Sequence, residues 1–227
     1  DAEFSKQFCD SLGIPCFIKN ADVRALAKEW GVSEEMAGRR VRYDFFDELM
    51  LEYGIDFTAT AHHRNDNAET IVMNFIRGSA TAGLCGIPYK RGNYIRPLLD
   101  VSREEIENYC GVHSLQYVTD KTNLDTVYTR NKIRNIFIPQ IEKGFNPNFC
   151  ETITANAQII RDDEAFLTGT AENEYRKTVK DGFADTQKIM NMHKAVARRV
   201  IRMMIADVSD LYDVSSVVVE NIYKLCS

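Results

Sequence analysis

Apolar positions along the chain recur with two periods before Asn146 and with the helical period alone after it. Phe4, Phe8 and Leu12 share one helix face, and Gly13 supplies a stop, so the spacing predicts a helix over residues 1–12. Residues 14–19 read as a strand. Asp22 is placed to cap a short helix over 23–30 that ends at Gly31. Ser33 caps a longer one to about Tyr53, with Ala37, Val41, Phe45, Leu49 and Tyr53 as its stripe. Residues 55–59 are short, apolar and small, as in a buried strand. Ala68, Ile71, Val72, Phe75 and Ile76 then form the stripe of an amphipathic helix.

Residues 93–99 add a strand, and Ser102-Arg103-Glu104-Glu105 is a capping box that opens a helix to Cys110. Residues 115–118 read as extended and 120–125 as polar loop. Residues 130–141 read as helix, kinked or divided by Pro139. Alternation of strand and helix predicts an α/β fold with a parallel sheet flanked by helices. Asn146-Pro147-Asn148 is the strongest boundary signal, which divides the chain into 1–145 and an all-helical 146–227. Beyond that boundary a single helix or a pair spans 149–179, with Gly169 as a potential break. Lys180-Asp181-Gly182 is a turn, and further helices cover 192–208 and 215–225.

Composition narrows the function classes. At 227 residues and 44% apolar, the chain can bury a core in one large or two small domains. Its net charge of −5 argues against a general polyanion binder. The basic residues are nevertheless concentrated. Arg176, Lys177, Lys180, Lys188, Lys194, Arg198, Arg199 and Arg202 share their span with only Asp181 and Asp185. Such an excess either tracks an RNA backbone or forms a solvated helix face. The six cysteines are scattered without a C-x-x-C pair, and histidines number four, so a zinc or iron–sulfur site is not expected. Scattered thiols suit a reducing cytoplasm. No secretory leader and no membrane-length apolar run is read.

The candidate chemistry centres on Thr60 to Thr70. His62 and His63 follow a strand, and Asp66 opens a helix, which places them where open α/β sheets bind ligands. Asp66 and Glu69 are three apart, so their carboxylates share a helix face and can hold an ammonium or a magnesium ion. The helix dipole alone also favours two acids in a first turn. Arg130 and Arg134, four apart, can grip phosphates or form a solvated basic face. Arg39 and Arg42 read by spacing as surface charges. The loop 77–83 is small and glycine-bearing, but no G-x-G-x-x-G or G-x-x-x-x-G-K is present.

His62-His63-x-x-Asp66-x-Ala68-Glu69-Thr70, with Phe75-Ile76-Arg77-Gly78-Ser79 and Gly83-Leu84-x-Gly86-Ile87-Pro88, resembles the PP-loop ATPases that modify tRNA. Asn123-x-x-x-x-Tyr128-Thr129-Arg130-Asn131-Lys132-Ile133-Arg134 is similar to the signature of one branch, the tRNA(Ile)-lysidine synthetases. The resemblance runs to about Leu167 and more weakly beyond. It implies a Rossmann-like PP-loop sheet followed by a helical domain that reads tRNA. It implies ligation of L-lysine to C2 of the wobble cytidine of tRNA(Ile), through an ATP-derived adenylate. In that scheme Asp66 and Glu69 hold lysine, and His62 lies near the phosphates. Arg130 balances charge in the adenylate step, and Arg39 and Arg134 also face the nucleotide. Magnesium bridges phosphates and a carboxylate. Arg198, Arg199 and Arg202 meet tRNA, and a homodimer is the candidate assembly.

The family's Ser-Gly-Gly-x-Asp-Ser phosphate loop is absent. The sequence therefore reads as an N-terminally truncated PP-loop domain, inactive by itself. Two other readings share the motifs: a PP-loop cytidine thiolase, against which the absence of C-x-x-C counts, and a non-catalytic tRNA-binding module.

Overall fold

The computed structural model describes residues 2–118, 129–208 and 215–226. The expected polar loop at 120–125, and Asn123 and Tyr128, lie outside the described residues. The chain forms two compact units, one from residues 1–63 and 88–123, the other from 64–87 and 124–227.

In the first unit α1 (Ala2–Ser11) buries no residue. Helices α2 (Val23–Trp30) and α3 (Glu34–Tyr53) start where the sequence expects. The Asp22 carboxylate accepts from the Ala25 N–H, and the Ser33 hydroxyl from the Met36 N–H. Ala27, Ala37 and Met50 are the buried side chains of this pair. Strand β1 (Thr58–Ala59) runs parallel to β3 (Tyr94–Ile95), which pairs antiparallel with β2 (Lys90–Arg91), in the order β1-β3-β2. Thr58 stands opposite Tyr94, and Lys90 opposite Ile95. Helix α6 (Arg103–Val112) opens on the expected capping box, with Ser102 and Glu105 each accepting from the other's backbone N–H.

The expected strands are longer than the observed ones. Residues 14–19 and 115–118 join no ladder, and 93–99 contributes only Tyr94–Ile95. An apolar run identifies a candidate strand, but a ladder needs a partner, and partners are not local in sequence.

In the second unit α4 (Arg64–Ile76) buries Asn67, Ala68, Glu69, Ile71 and Val72. A short α5 (Thr81–Leu84) follows. Helix α7 (Thr129–Lys132) passes into a π-helical segment, Ile133–Phe137, and then into α8 (Ile138–Gly144). The expected kink at Pro139 takes this form. Proline has no N–H to give an α-helical bond, and a widened turn accommodates the gap. Helix α9 (Phe149–Thr178) is unbroken at Gly169, and its 30 residues span about 45 Å.

At one end of α9, Cys150 joins Ala68, Val72, Ile133 and Ile138 in a core. Toward the other end, Ala171 joins Ile189, Val196, Ala197, Val200, Ile201 and Val219. The second core belongs to α10 (Thr186–Asn191), α11 (Lys194–Val208) and α12 (Ser216–Leu225). Between α9 and α10 lies a hairpin, β4 (Val179–Lys180) and β5 (Phe183–Ala184). Asp181 and Gly182 both take positive φ, 53° and 79°, as a two-residue hairpin turn of the Asp-Gly kind requires.

Candidate active site

Asp66 and Glu69 stand one turn apart on α4, and Arg130 and Arg134 one turn apart across α7 and the π segment. All four meet in the second unit. Arg130 donates from Nε to Glu69 Oε2 at 2.9 Å and from Nη2 to Asp66 Oδ1 at 3.2 Å. Arg134 donates from Nε to Glu69 Oε1 at 2.5 Å and from Nη2 to Asp66 Oδ1 at 3.0 Å. Its Nη2 also reaches Glu69 Oε2 at 3.0 Å. The cluster is formally neutral, and each guanidinium bridges both carboxylates.

Burial separates the two acids. The Glu69 side chain is 2% exposed and the Asp66 side chain 13%. A carboxylate as buried as Glu69 requires paired, hydrogen-bonded charge around it. Burial alone would lower the Arg134 pKa, but the Glu69 and Asp66 carboxylates outweigh it and hold the guanidinium above its ordinary value. The two guanidiniums thus fix both carboxylates in direction. Asp66, at the more open edge, is the one an incoming cation reaches first.

The neighbouring loop is held as firmly. Buried Asn67 accepts the Ile87 N–H at 2.8 Å, and a Cβ on Gly86, which has φ of 68°, would come within 2.2 Å of Asn67 Oδ1. Glycine is required there by close approach as well as by backbone conformation. Arg161 donates to the Cys85 carbonyl at 2.7 Å, and Asn74 to the Gly83 carbonyl at 2.8 Å. Residues 83–87, which carry the Gly-Leu-x-Gly-Ile pattern, are a clamped segment rather than a slack connection.

The other candidate residues belong to other elements. His62 follows β1 in the first unit, with its Nδ1 2.9 Å from the Thr60 hydroxyl. Arg39 lies on α3, its guanidinium over the Tyr43 ring at 4.8 Å from the centroid. Arg198 is bound to Glu220 of α12 at 2.8 and 2.6 Å. Arg199 is bound to Glu164 of α9, which also accepts from Thr81 at 2.6 Å. Arg202 is exposed.

Sequence reading did not find Glu164 or Glu220, because they neutralise the basic stretch from distant helices. It also passed over Arg96, which is 5% exposed. A lone arginine within the apolar run 93–99 was the available signal.

A PP-loop domain family pattern matches residues 1–141. The chain is 38% identical over 217 residues to a Clostridium perfringens protein named tRNA(Ile)-lysidine synthase, an alignment covering 94% of this chain and 46% of that protein. It is 37% identical to the Clostridium tetani protein of that name over 230 residues, 99% of this chain and 49% of the relative. For the Porphyromonas gingivalis protein of that name, identity is 39% over 174 residues, 76% and 38% of the two chains. The chain spans about half the length of the curated relatives it matches or less. With the PP-loop pattern covering more than half of its residues, the chain belongs to the PP-loop family.

Proposed function

We propose that the protein to which this chain belongs is a tRNA(Ile)-lysidine synthetase. The observation that carries the reading is the Asp66–Glu69–Arg130–Arg134 cluster, which lies on the residues that match the family's two motifs. In this reading the C2 oxygen of the wobble cytidine attacks the α-phosphorus of ATP, and pyrophosphate leaves. A lysine amine then attacks C2, and AMP leaves.

Lysine carries two amino groups, and a nucleophile needs a free lone pair. Asp66 and Glu69 hold one amino group as an ammonium, which leaves the other to attack. Arg130 and Arg134 hold both carboxylates in place before lysine arrives, so little reorganisation is needed on binding. Arg130 also offsets charge in the adenylate step, and Arg134, Arg39 and His62 face the nucleotide.

Magnesium, which the chemistry implies, would offset the negative charge of ATP's own phosphates. Asp66 and Glu69 are two carboxylates, too few to cage the ion without the phosphates. Among the described residues no group of three or more His, Cys, Asp or Glu is placed to hold a metal. No step is therefore routed through the ion.

The finer architecture belongs to this proposal: a Rossmann-like parallel sheet with flanking helices in 1–145 that handles ATP, and a helical 146–227 that reads tRNA(Ile). Among the described residues no helix is long and apolar enough to cross a membrane. The proposed setting is the cytoplasm, with a homodimer as the candidate assembly. The test is incorporation of labelled L-lysine by the full-length protein. Incorporation that depends on both ATP and tRNA(Ile) is expected. Its absence with an intact, tRNA-binding protein would reject the ligase.

A further inference from the structure

A cleft of about 420 Å³ in the first unit is lined by Arg39, Tyr43, Arg91, Gly92, Tyr94 and Arg96. The register explains the gathering. Residues 92, 94 and 96 alternate onto one face of the β3 segment, and Arg91 stands opposite Tyr94 across the hairpin. Arg39 and Tyr43, one turn apart on α3, close the other side. Three guanidiniums thus line one concavity, and no carboxylate is among its lining residues.

The acids nearest in sequence already have partners, one of them on the cleft wall. Asp47 accepts from the Tyr94 hydroxyl, and Asp44 pairs with Arg40 at 3.9 Å. Arg39 lies over the Tyr43 ring, its guanidinium carbon 4.8 Å from the centroid, and one of its nitrogens donates to the Tyr43 hydroxyl at 3.4 Å.

The second observation concerns Arg96. Its Nη1 donates to the Pro88 carbonyl at 2.7 Å, but its buried Nε has no hydrogen-bond partner among the described residues. It is the one buried side-chain nitrogen or oxygen in that condition there. A buried donor without an acceptor is costly, and more so on a charged group. A cleft lined by this incompletely partnered guanidinium and two further ones is short of a multivalent anion.

We propose that this cleft is a binding site for a phosphate ester. A carboxylate offers two oxygens in a plane. A phosphate offers three or four around a tetrahedron, and can accept from Arg39, Arg91 and Arg96 together. The Tyr43 and Tyr94 rings give a wall on which an attached sugar or base can lie. The ester comes from a nucleotide, whose terminal phosphate offers three oxygens, or from an RNA backbone, whose diesters each offer two; both bring anionic phosphate oxygens to the cleft. The site deepens the reading above but does not rest on lysine chemistry: it requires only a phosphate-bearing ligand.

The test uses the full-length protein labelled with ¹⁵N at arginine side chains. Titration with inorganic phosphate should shift the Arg96 Nε–H signal, assigned by its loss in Arg96→Lys. Affinities for ATP and for tRNA are then measured with Arg91→Gln, which changes an exposed hairpin residue and leaves folding intact. A loss of about tenfold or more is expected for one ligand. Loss for ATP alone identifies a nucleotide site, and loss for tRNA alone an RNA-backbone site. Lys90→Gln, the neighbouring charge outside the cleft, should leave both affinities within twofold. Unchanged binding of phosphate, ATP and tRNA in Arg91→Gln would overturn the proposal. So would an equal loss in Lys90→Gln.

Discussion

Glu69 is the residue on which the candidate site is built. Two guanidiniums converge on a carboxylate that is 2% exposed, and each also reaches Asp66. Glu69→Gln would leave two partly buried cations facing one acid. Breaking a buried pair by removing one partner costs about 3–5 kcal/mol, and the low end applies because water still reaches both arginines. A fall in the urea midpoint with an unchanged slope is the expected reading. Cys150 gives an independent check on the adjoining core. Burial, then the hydrogen bond to Glu142, pushes its thiol up to about 12. The thiol should resist alkylation at pH 8 in the folded protein, with modification seen after unfolding. Its folded pKa lies above that of an unfolded cysteine, so its contribution to stability is complete below about pH 8.5 and is lost as pH rises toward 12. Asp66, Glu69, Arg130 and Arg134 were legible in sequence, because spacing put each pair on one helix face. Two acids this close also call for a nearby cation such as an arginine, and Arg130 fills that place; that Arg134 joins it, from 65 and 68 residues away, was not legible.

At the scale of elements, signals carried by neighbouring residues were readable, and signals carried by distant ones were not. The caps at Asp22, Ser33 and Ser102 form because a side chain three residues away in sequence is all they need. The strand expected at 14–19 does not form, because pairing cannot be read from one segment. Lys194 to Arg202 shows the same limit in charge. Glu220 from α12 and Glu164 from α9 take up Arg198 and Arg199. Arg199→Ala should therefore act mainly through stability. Arg202→Ala should weaken tRNA binding and reduce the salt slope by about one. Equal slopes in Arg202→Ala and wild type would make that surface merely solvated. Glu164 also adds a pH dependence. Burial opposes its ionisation, but the Arg199 and Thr81 hydrogen bonds prevail and hold its pKa below the ordinary value. A depressed carboxyl contributes stability above its unfolded pKa and loses it as pH falls through the folded one. Acid titration of unfolding should show this limb below about pH 4.3, and Glu164→Gln should flatten it.

For the whole molecule, the division into units runs through the most informative stretch of sequence. His62 follows β1 in the first unit, and Asp66 lies in the first turn of α4 in the second, although only four positions separate them in sequence. Hydrophobic period marks the ends of elements but not the contacts that group them. The PP-loop pattern covers residues 1–141, and the proposed lysine site draws on both sequence motifs, Asp66 and Glu69 from one and Arg130 and Arg134 from the other. The most direct measurement is lysine attachment by the full-length Asp66→Asn protein, with tRNA(Ile) binding followed in parallel. Loss of a charge-assisted contact costs about 1.5–3 kcal/mol, so attachment should fall roughly ten- to a hundred-fold while tRNA binding stays within twofold. Near-normal attachment by Asp66→Asn would contradict the account, because the carboxylate held toward the Arg130 and Arg134 guanidiniums would then have no role in holding lysine.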